Sequence, residues 1–274
     1  MTITNLLTLR TEYQQFVEQF YSYLPDTIRS IFVNDALFHK ERYIDLLSEP
    51  LSGHIVEAGS DKPFITHVLR TLFPEALIDT VSMDMPNSPY PIKQVDIESE
   101  LLPFDEGSID TVIFTEVLEH LFRDPSWATY QINKILRVGG TLFLTTPNAC
   151  GYDVLQNILD QKNPNERNQF YERIESGHPH LWTARECRIL LEANGFVIRD
   201  LRTRNYYDIP KRRGTEEIIS KFGADLDLHG QTLRIVAVKS VNISEPQYPA
   251  DLFPEGKPVQ IIGALERWVS VKRK

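Results

Sequence analysis

The chain has 274 residues, 42% hydrophobic and 24% charged, with a formal net charge of −9. That length carries one large α/β domain with additions and a sizeable core, and the composition is that of a soluble globular protein. The acidic balance argues against a surface built to grip nucleic-acid backbone.

The first fifty residues read as helices. Tyr13, Phe16, Val17, Phe20, Tyr21 and Leu24 recur at helical spacing, Ile28, Ile31 and Phe32 continue the apolar pattern beyond Pro25-Asp26, and Leu37, Phe38, Ile44 and Leu47 suggest a further helix ended by Pro50. This gives an N-terminal helical cap over residues 1–52, which either packs on the main domain or covers an active site that must exclude water. From residue 53 to 240, strands and helices alternate. HIVEAG, ALIDTVSMD, IDTVIFTE and TLFLTTP read as strands, and PFITHVLRTLF reads as a helix with Pro63 in its first turn. PSWATYQINKILR reads as a helix closed by Gly139-Gly140, and TARECRILLEANG as one capped by Thr183 and stopped by Gly195. FVIRDLRTR and TLRIVAVKS close the domain as strands. The alternation implies a doubly wound, mostly parallel sheet, with its ligand site beyond the carboxyl ends of the strands. Residues 241–274 form a proline-bearing extension ending in VQIIGALERWVSVKRK, expected to dock on the core or to join two copies as a homodimer.

Cys150 and Cys187 are too few for a disulfide framework and too far apart for a metal knuckle, so a reducing cytoplasm is expected. The N-terminal segment lacks a basic start followed by an apolar run, and no stretch reaches the length of a membrane span.

Acidic residues recur at the strand ends: Glu57 after the first, Asp84 after the second, Asp96 in the following loop and Glu116 just past DTVIF. A carboxylate after the second strand suits a ribose, because it can accept hydrogen bonds from both hydroxyls of a vicinal diol.

The segments IVEAGSD, SMD, DIESELLPFDEGSIDTVIFTEVLEHL, ILRVGGTLFLTTPN and HLWTARECRILLEANGF together resemble the successive motifs of class I S-adenosylmethionine-dependent methyltransferases. The resemblance runs over roughly residues 54–200 and implies a Rossmann-like sheet of seven strands, the last antiparallel. It also implies methyl transfer from a sulfonium donor. Residue by residue, Glu57 and Gly59 match the start of the loop that approaches the methionine part of the donor. Asp84 matches the ribose acid, Asp96 and Ile97 the adenine contacts, and Thr115 with Glu116 the position facing the methionine end. The pattern departs at Asp61, where a second glycine is usual, and at Pro63, where a third is. The donor carries no phosphate, so an anionic loop is tolerable. Asp61 is expected either to cap the helix after Pro63 or to bind the donor's ammonium.

Transfer to a hydroxyl needs a proton acceptor. His180 in GHPHLWT is the first candidate and His120 in EVLEHL the second; the plainer reading makes both helix-start residues. The expected acceptor is a small molecule or glycan, with no metal required. Glu116, Glu119, His120 and a later histidine also resemble the metal-binding set of small-RNA 2′-O-methyltransferases, which makes a metal-dependent RNA enzyme one alternative. A catalytically silent donor-fold protein is another. The segment RDLRTRNYYDIPKRRG is a solvated loop on the plainer reading and an anion contact on the functional one.

Overall fold

A computed structural model describes residues 5–83, 87–164 and 177–257. Three helices lead: α1 (Leu6–Phe20), α2 (Asp26–Phe38) and α3 (Lys40–Leu46). There follow β1 (His54–Ala58), α4 (Phe64–Leu72), β2 (Leu77–Ser82), β3 (Lys93–Gln94), β4 (Ile109–Thr115), α5 (Pro125–Ile135) and β5 (Leu136–Pro147). The chain continues through α6 (Tyr152–Leu159), α7 (Ala184–Ala193), β6 (Phe196–Arg204), α8 (Thr215–Lys221) and β7 (Thr232–Lys239).

The strands form one seven-stranded sheet in the order β3-β2-β1-β4-β5-β7-β6. Strand β7 runs antiparallel to both its neighbours, and the remaining pairs are parallel. The order reverses between β1 and β4, so the ligand edge opens where those two strands end.

Alternation along each strand divides the core in two. Val56, Val112, Leu142 and Ile235 join α5 and α7 on one face. Ile55, Ile113, Phe143 and Val236 join the N-terminal helices and α4 on the other. The apolar stripe of α1 is therefore spent on packing: Tyr13, Phe16, Val17 and Tyr21 are buried, and Phe16 and Tyr13 meet Phe64 edge to face. The stripe continues through α2 at Ile28, Phe32 and Leu37, which pack on this core, whereas Ile31 and Phe38 leave it and are 59% and 58% exposed.

The Gly139-Gly140 pair also departs from expectation. Helix α5 stops at Ile135, and the glycines lie inside the opening of β5. A side chain at Gly140 would sit 2.8 Å from the Arg137 carbonyl, and Gly139 has φ +80°, so the pair shapes a bend where the strand register shifts. The start of α7 is as expected. Thr183 and Glu186 form a reciprocal capping box, and Gly195 follows the helix at φ +83°.

Candidate active site

The loop after β1 turns on a single glycine. Gly59 has φ +85°, and a Cβ there would fall 2.5 Å from Cγ2 of Val117, so both the backbone and the space demand glycine. Its N–H donates to the Val81 carbonyl at 2.8 Å, binding the turn to β2. Later in the loop no glycine is needed. Ser60 Oγ closes a local turn on the Lys62 carbonyl at 2.8 Å, and Pro63 enters α4 directly. Asp61 does not cap α4, contrary to one of its two expected roles. Its carboxylate pairs with Lys62 Nζ at 2.6 Å, and Lys62 also reaches Asp35 of α2 at 3.3 Å. The loop is thereby tied to the N-terminal helices.

Glu57 is 4% exposed, and its carboxylate accepts from Thr66 of α4, whose hydroxyl also meets Thr80 at 2.7 Å. Burial pushes its carboxyl up to about 7 despite the hydrogen bond. Asp84 lies outside the described residues. Asp96 organises its own loop: it accepts from the Glu98 N–H at 3.0 Å, from Ser99 Oγ at 2.7 Å and from Arg123 Nη1 at 2.9 Å. Ile97 is buried beside it, its carbonyl held by Gln131 Nε2 at 2.9 Å.

Beyond Thr115, Glu116 adopts φ +56°, a left-handed conformation that costs a non-glycine residue about 1–2 kcal/mol. It is fixed on both sides. Its N–H donates to the Thr145 carbonyl at 2.8 Å, and its Oε1 accepts from Thr145 Oγ1 at 2.8 Å while standing 3.4 Å from Nη1 of Arg42 in α3. This turn throws the chain into a short 3-10 segment, Leu118–His120. There Glu119 is 1% exposed and accepts from Thr146 Oγ1 at 3.0 Å.

His120 Nδ1 lies 2.9 Å from the Gly177 carbonyl. A carbonyl only accepts, so this nitrogen carries the proton and the neutral ring keeps its basic lone pair on Nε2. The ring of His178 meets that of His120 edge to face at 4.8 Å, and His178 is buried. His180 is placed elsewhere. Its ring rests edge-on against Trp182 at 4.8 Å, and its Nε2 faces Glu186 at 3.3 Å, at the start of α7. Of the two histidines in GHPHLWT, the structure joins His178 to His120, and His180 takes the helix-start position. Trp182, on which His180 rests, donates its indole N–H to the Leu118 carbonyl at 3.2 Å.

Glu119, His120 and His178 each offer one ligand atom, and these atoms lie within 4.8 Å of one another. A carboxylate with two imidazoles is a donor set that suits a divalent transition metal. Glu116, expected in that set, points instead to Thr145 and Arg42.

The basic segment, which begins inside β6 and runs into the loop after it, is largely paired. Arg199 meets Glu49 at 2.7 Å, Arg202 meets Asp200 at 2.6 Å, Lys211 meets Glu216 at 2.8 Å, and Arg212 pairs with Asp160. Its two tyrosines hold the N-terminal helices: Tyr206 donates to Asp45 at 2.7 Å, and Tyr207 Oη meets His39 Nδ1 at 3.1 Å. Arg234 of β7, 3% exposed, gathers Asp45 at 2.8 Å, Asp200 at 2.5 Å and Glu49 into one ionic group around a buried guanidinium. Neither Arg42 nor Arg234 stands out in the sequence, because each contacts acids from distant segments.

A methyltransferase-domain family profile matches residues 35–201, more than half of the chain. A search of curated proteins finds no match. Among solved structures, the chain is similar to one from the Haloferax volcanii complex of the Trm112 methyltransferase activator with a methyltransferase. That match has a TM-score of 0.53 and 15% identity, covering 86% of this chain and 100% of the other. It is also similar to geranyl diphosphate C-methyltransferase from Streptomyces coelicolor A3(2), solved with Mg2+, geranyl diphosphate and S-adenosyl-L-homocysteine. There the TM-score is 0.51 at 13% identity, covering 83% of this chain and 98% of the other. With the strand order, the glycine turn after β1 and the family match agreeing, the chain belongs to the methyltransferase-domain family, in the class I S-adenosylmethionine-dependent fold that its motifs resemble.

Proposed function

We propose that this protein transfers the methyl group of S-adenosylmethionine to a hydroxyl of a small-molecule or glycan-type acceptor, in the cytoplasm. The observation that carries the hydroxyl assignment is the His120–His178 pair, 4.8 Å between rings, set just beyond β4 on the ligand edge of the sheet. The donor supplies an electrophilic methyl on a sulfonium. The Gly59 turn and the backbone at Thr115 and Glu116 hold its methionine end, Asp96 and Ile97 hold its base, and Asp84 holds its ribose. His120, with its proton fixed on Nδ1 by the Gly177 carbonyl, takes the acceptor's hydroxyl proton on Nε2 as the oxygen attacks. Proton removal moves from His180 to this pair because His180 is turned toward Glu186.

One observation favours a second reading. The ligand atoms of Glu119, His120 and His178 lie within 4.8 Å of each other, close enough to hold a divalent cation that would polarise the acceptor oxygen. This is the metal-dependent alternative; the net charge of −9 weighs against RNA as its acceptor. No described helix is long and apolar enough to cross a membrane, and no membrane or nucleic-acid partner is proposed.

The test is a calorimetric titration with S-adenosylhomocysteine, followed by methyl-transfer assays on a panel of hydroxylated small molecules and sugars, read by mass. A product gaining one methyl on oxygen supports the reading, and donor binding with no turnover on any acceptor class supports the silent alternative. Absence of donor binding at millimolar ligand overturns the enzyme reading. Activity lost on chelation and restored by manganese or magnesium selects the metal reading, and methylation of carbon or nitrogen overturns the hydroxyl assignment.

A further inference from the structure

Residues 244–253, beyond the last strand, run along α5 toward its N-terminus. Tyr130 Oη donates to the Ser244 carbonyl at 3.2 Å, and Ser126 Oγ donates to the Gln247 carbonyl at 2.7 Å. Tyr248 Oη then donates to Oδ2 of Asp124 at 2.7 Å. Each step along this strap is a step back along the helix, from Tyr130 to the residue that caps it. Leu252 and Phe253 follow and pack on the core face that α5 and α7 share.

Asp124 is the point where the strap meets the ligand edge. It is 4% exposed, and its Oδ1 caps α5 by accepting from the Trp127 N–H at 2.9 Å. Tyr248 answers the other oxygen. A buried carboxylate oxygen left without a donor is costly, so the phenol fixes this side chain and with it the backbone of Arg123 and Asp124. The N–H groups of those two residues both donate to Oε1 of buried Glu98, at 2.7 Å and 3.1 Å. Glu98 in turn donates its N–H to Oδ1 of Asp96 at 3.0 Å, and Arg123 Nη1 donates to Oδ2 at 2.9 Å. The connection from the strap therefore ends on Asp96.

A carboxylate has about four acceptor sites, two on each oxygen. Ser99 and Arg123 take two on Oδ2 of Asp96, and the Glu98 N–H takes one on Oδ1. Among the described residues one site on Oδ1 is left, on a side chain 26% exposed to solvent. An incoming N–H donor suits it, and the adenine of the methyl donor carries one in its 6-amino group.

We infer that Tyr248 is a positioning residue for the adenine of the methyl donor: it holds Asp124 and, through Glu98 and Arg123, the Asp96 carboxylate that receives the 6-amino group. The assignment rests on the proposed donor binding, and it makes the strap part of the donor site.

The experiment compares two ligands by calorimetry: S-adenosylhomocysteine, and its analogue in which hydrogen replaces the 6-amino group. Wild-type protein should prefer the first. Tyr248→Phe, which removes only the phenolic O–H, should weaken the first by about 3–30-fold, the range for coupling carried through a packed polar network, and leave the analogue within about two-fold. Unchanged binding of the analogue also establishes that the variant is folded. Asp124→Asn, which keeps one acceptor oxygen in place of two, should show the same selective loss and serves as the test if Tyr248→Phe does not fold. Equal weakening of both ligands, no weakening of S-adenosylhomocysteine, or a wild type without preference between them overturns the inference while donor binding stands. Wild-type protein that binds neither ligand overturns the donor reading itself.

Discussion

The turn after β1 and the cluster beyond β4 share one edge of the sheet but are assembled on different principles. The β1 turn is local. Its conformation rests on one positive-φ glycine, a serine closing on a carbonyl two residues away, and a proline leading into a helix. The cluster is built from distant segments: His120 is oriented by the Gly177 carbonyl and faces His178, while Glu116 is held by Thr145 and approached by Arg42 from α3. A local turn tolerates the loss of the second and third glycines as long as the first remains. A cluster assembled from distant segments depends on everything that holds those segments together.

The largest expected effect tests that dependence. Arg234→Met removes the cation shared by Asp45, Asp200 and Glu49, which keep only their outer partners Tyr206, Arg202 and Arg199. Breaking a fully buried ionic group costs about 3–5 kcal/mol, which is the upper limit here because the acids are partly exposed, and the loss is read as a lower denaturant midpoint. A loss under about 1 kcal/mol would mean that α3 is anchored by packing alone and that the ionic group adds nothing, as for an exposed pair.

Gly59→Ala probes the local turn. The left-handed backbone costs an alanine about 1–2 kcal/mol, and the new methyl collides with Val117 for roughly 1–3 kcal/mol more. Adding Val117→Ala should recover the second contribution and not the first. If the double variant is no more stable than the single one, the Val117 contact is not the constraint assigned to it.

The histidines sharpen the comparison by function. His120→Ala should lower turnover by at least about 10²-fold with donor affinity nearly unchanged, the low end of the range for a general base, and His178→Ala, which removes the ring facing it, should lower turnover by less. His180→Ala should stay within a few-fold of wild type, because its ring contacts Trp182 and Glu186 at the start of α7. The reverse ranking in steady-state assays would return the proton-accepting role to His180.

The last effect is a pH dependence confined to the β1 side. Burial raises the Glu57 carboxyl from its ordinary 4.5 to about 7, so the folded state holds this proton more tightly than the unfolded chain. Stability from this group is fully present below pH 4.5 and is lost as pH rises through about 7, with a slope of at most about 1.4 kcal/mol per pH unit. Glu57→Gln can still accept from Thr66 and should flatten that part of the profile in denaturation curves run from pH 4.5 to 7.5. An unchanged profile would show that the carboxyl titrates normally.

The sequence by itself determined what repeats along the chain. Alternating strands and helices, the apolar stripe of α1, the Thr183 cap and the special place of Gly59 all follow from spacing and from backbone chemistry that acts over a few residues. What it could not decide was which distant side chains meet. Pro179 separates His178 from His180, and nothing in GHPHLWT says which ring turns inward; the fold sets His178 against His120 and His180 against Trp182. The exposure of Ile31 and Phe38 and the placement of Gly139-Gly140 within β5 were likewise decided by where the neighbouring elements lie. Arg42 carries no local signal, since it sits in a helix among apolar and charged residues like any surface arginine. Only the folding of α3 against the end of β4 strips its water away and turns it into a buried cation.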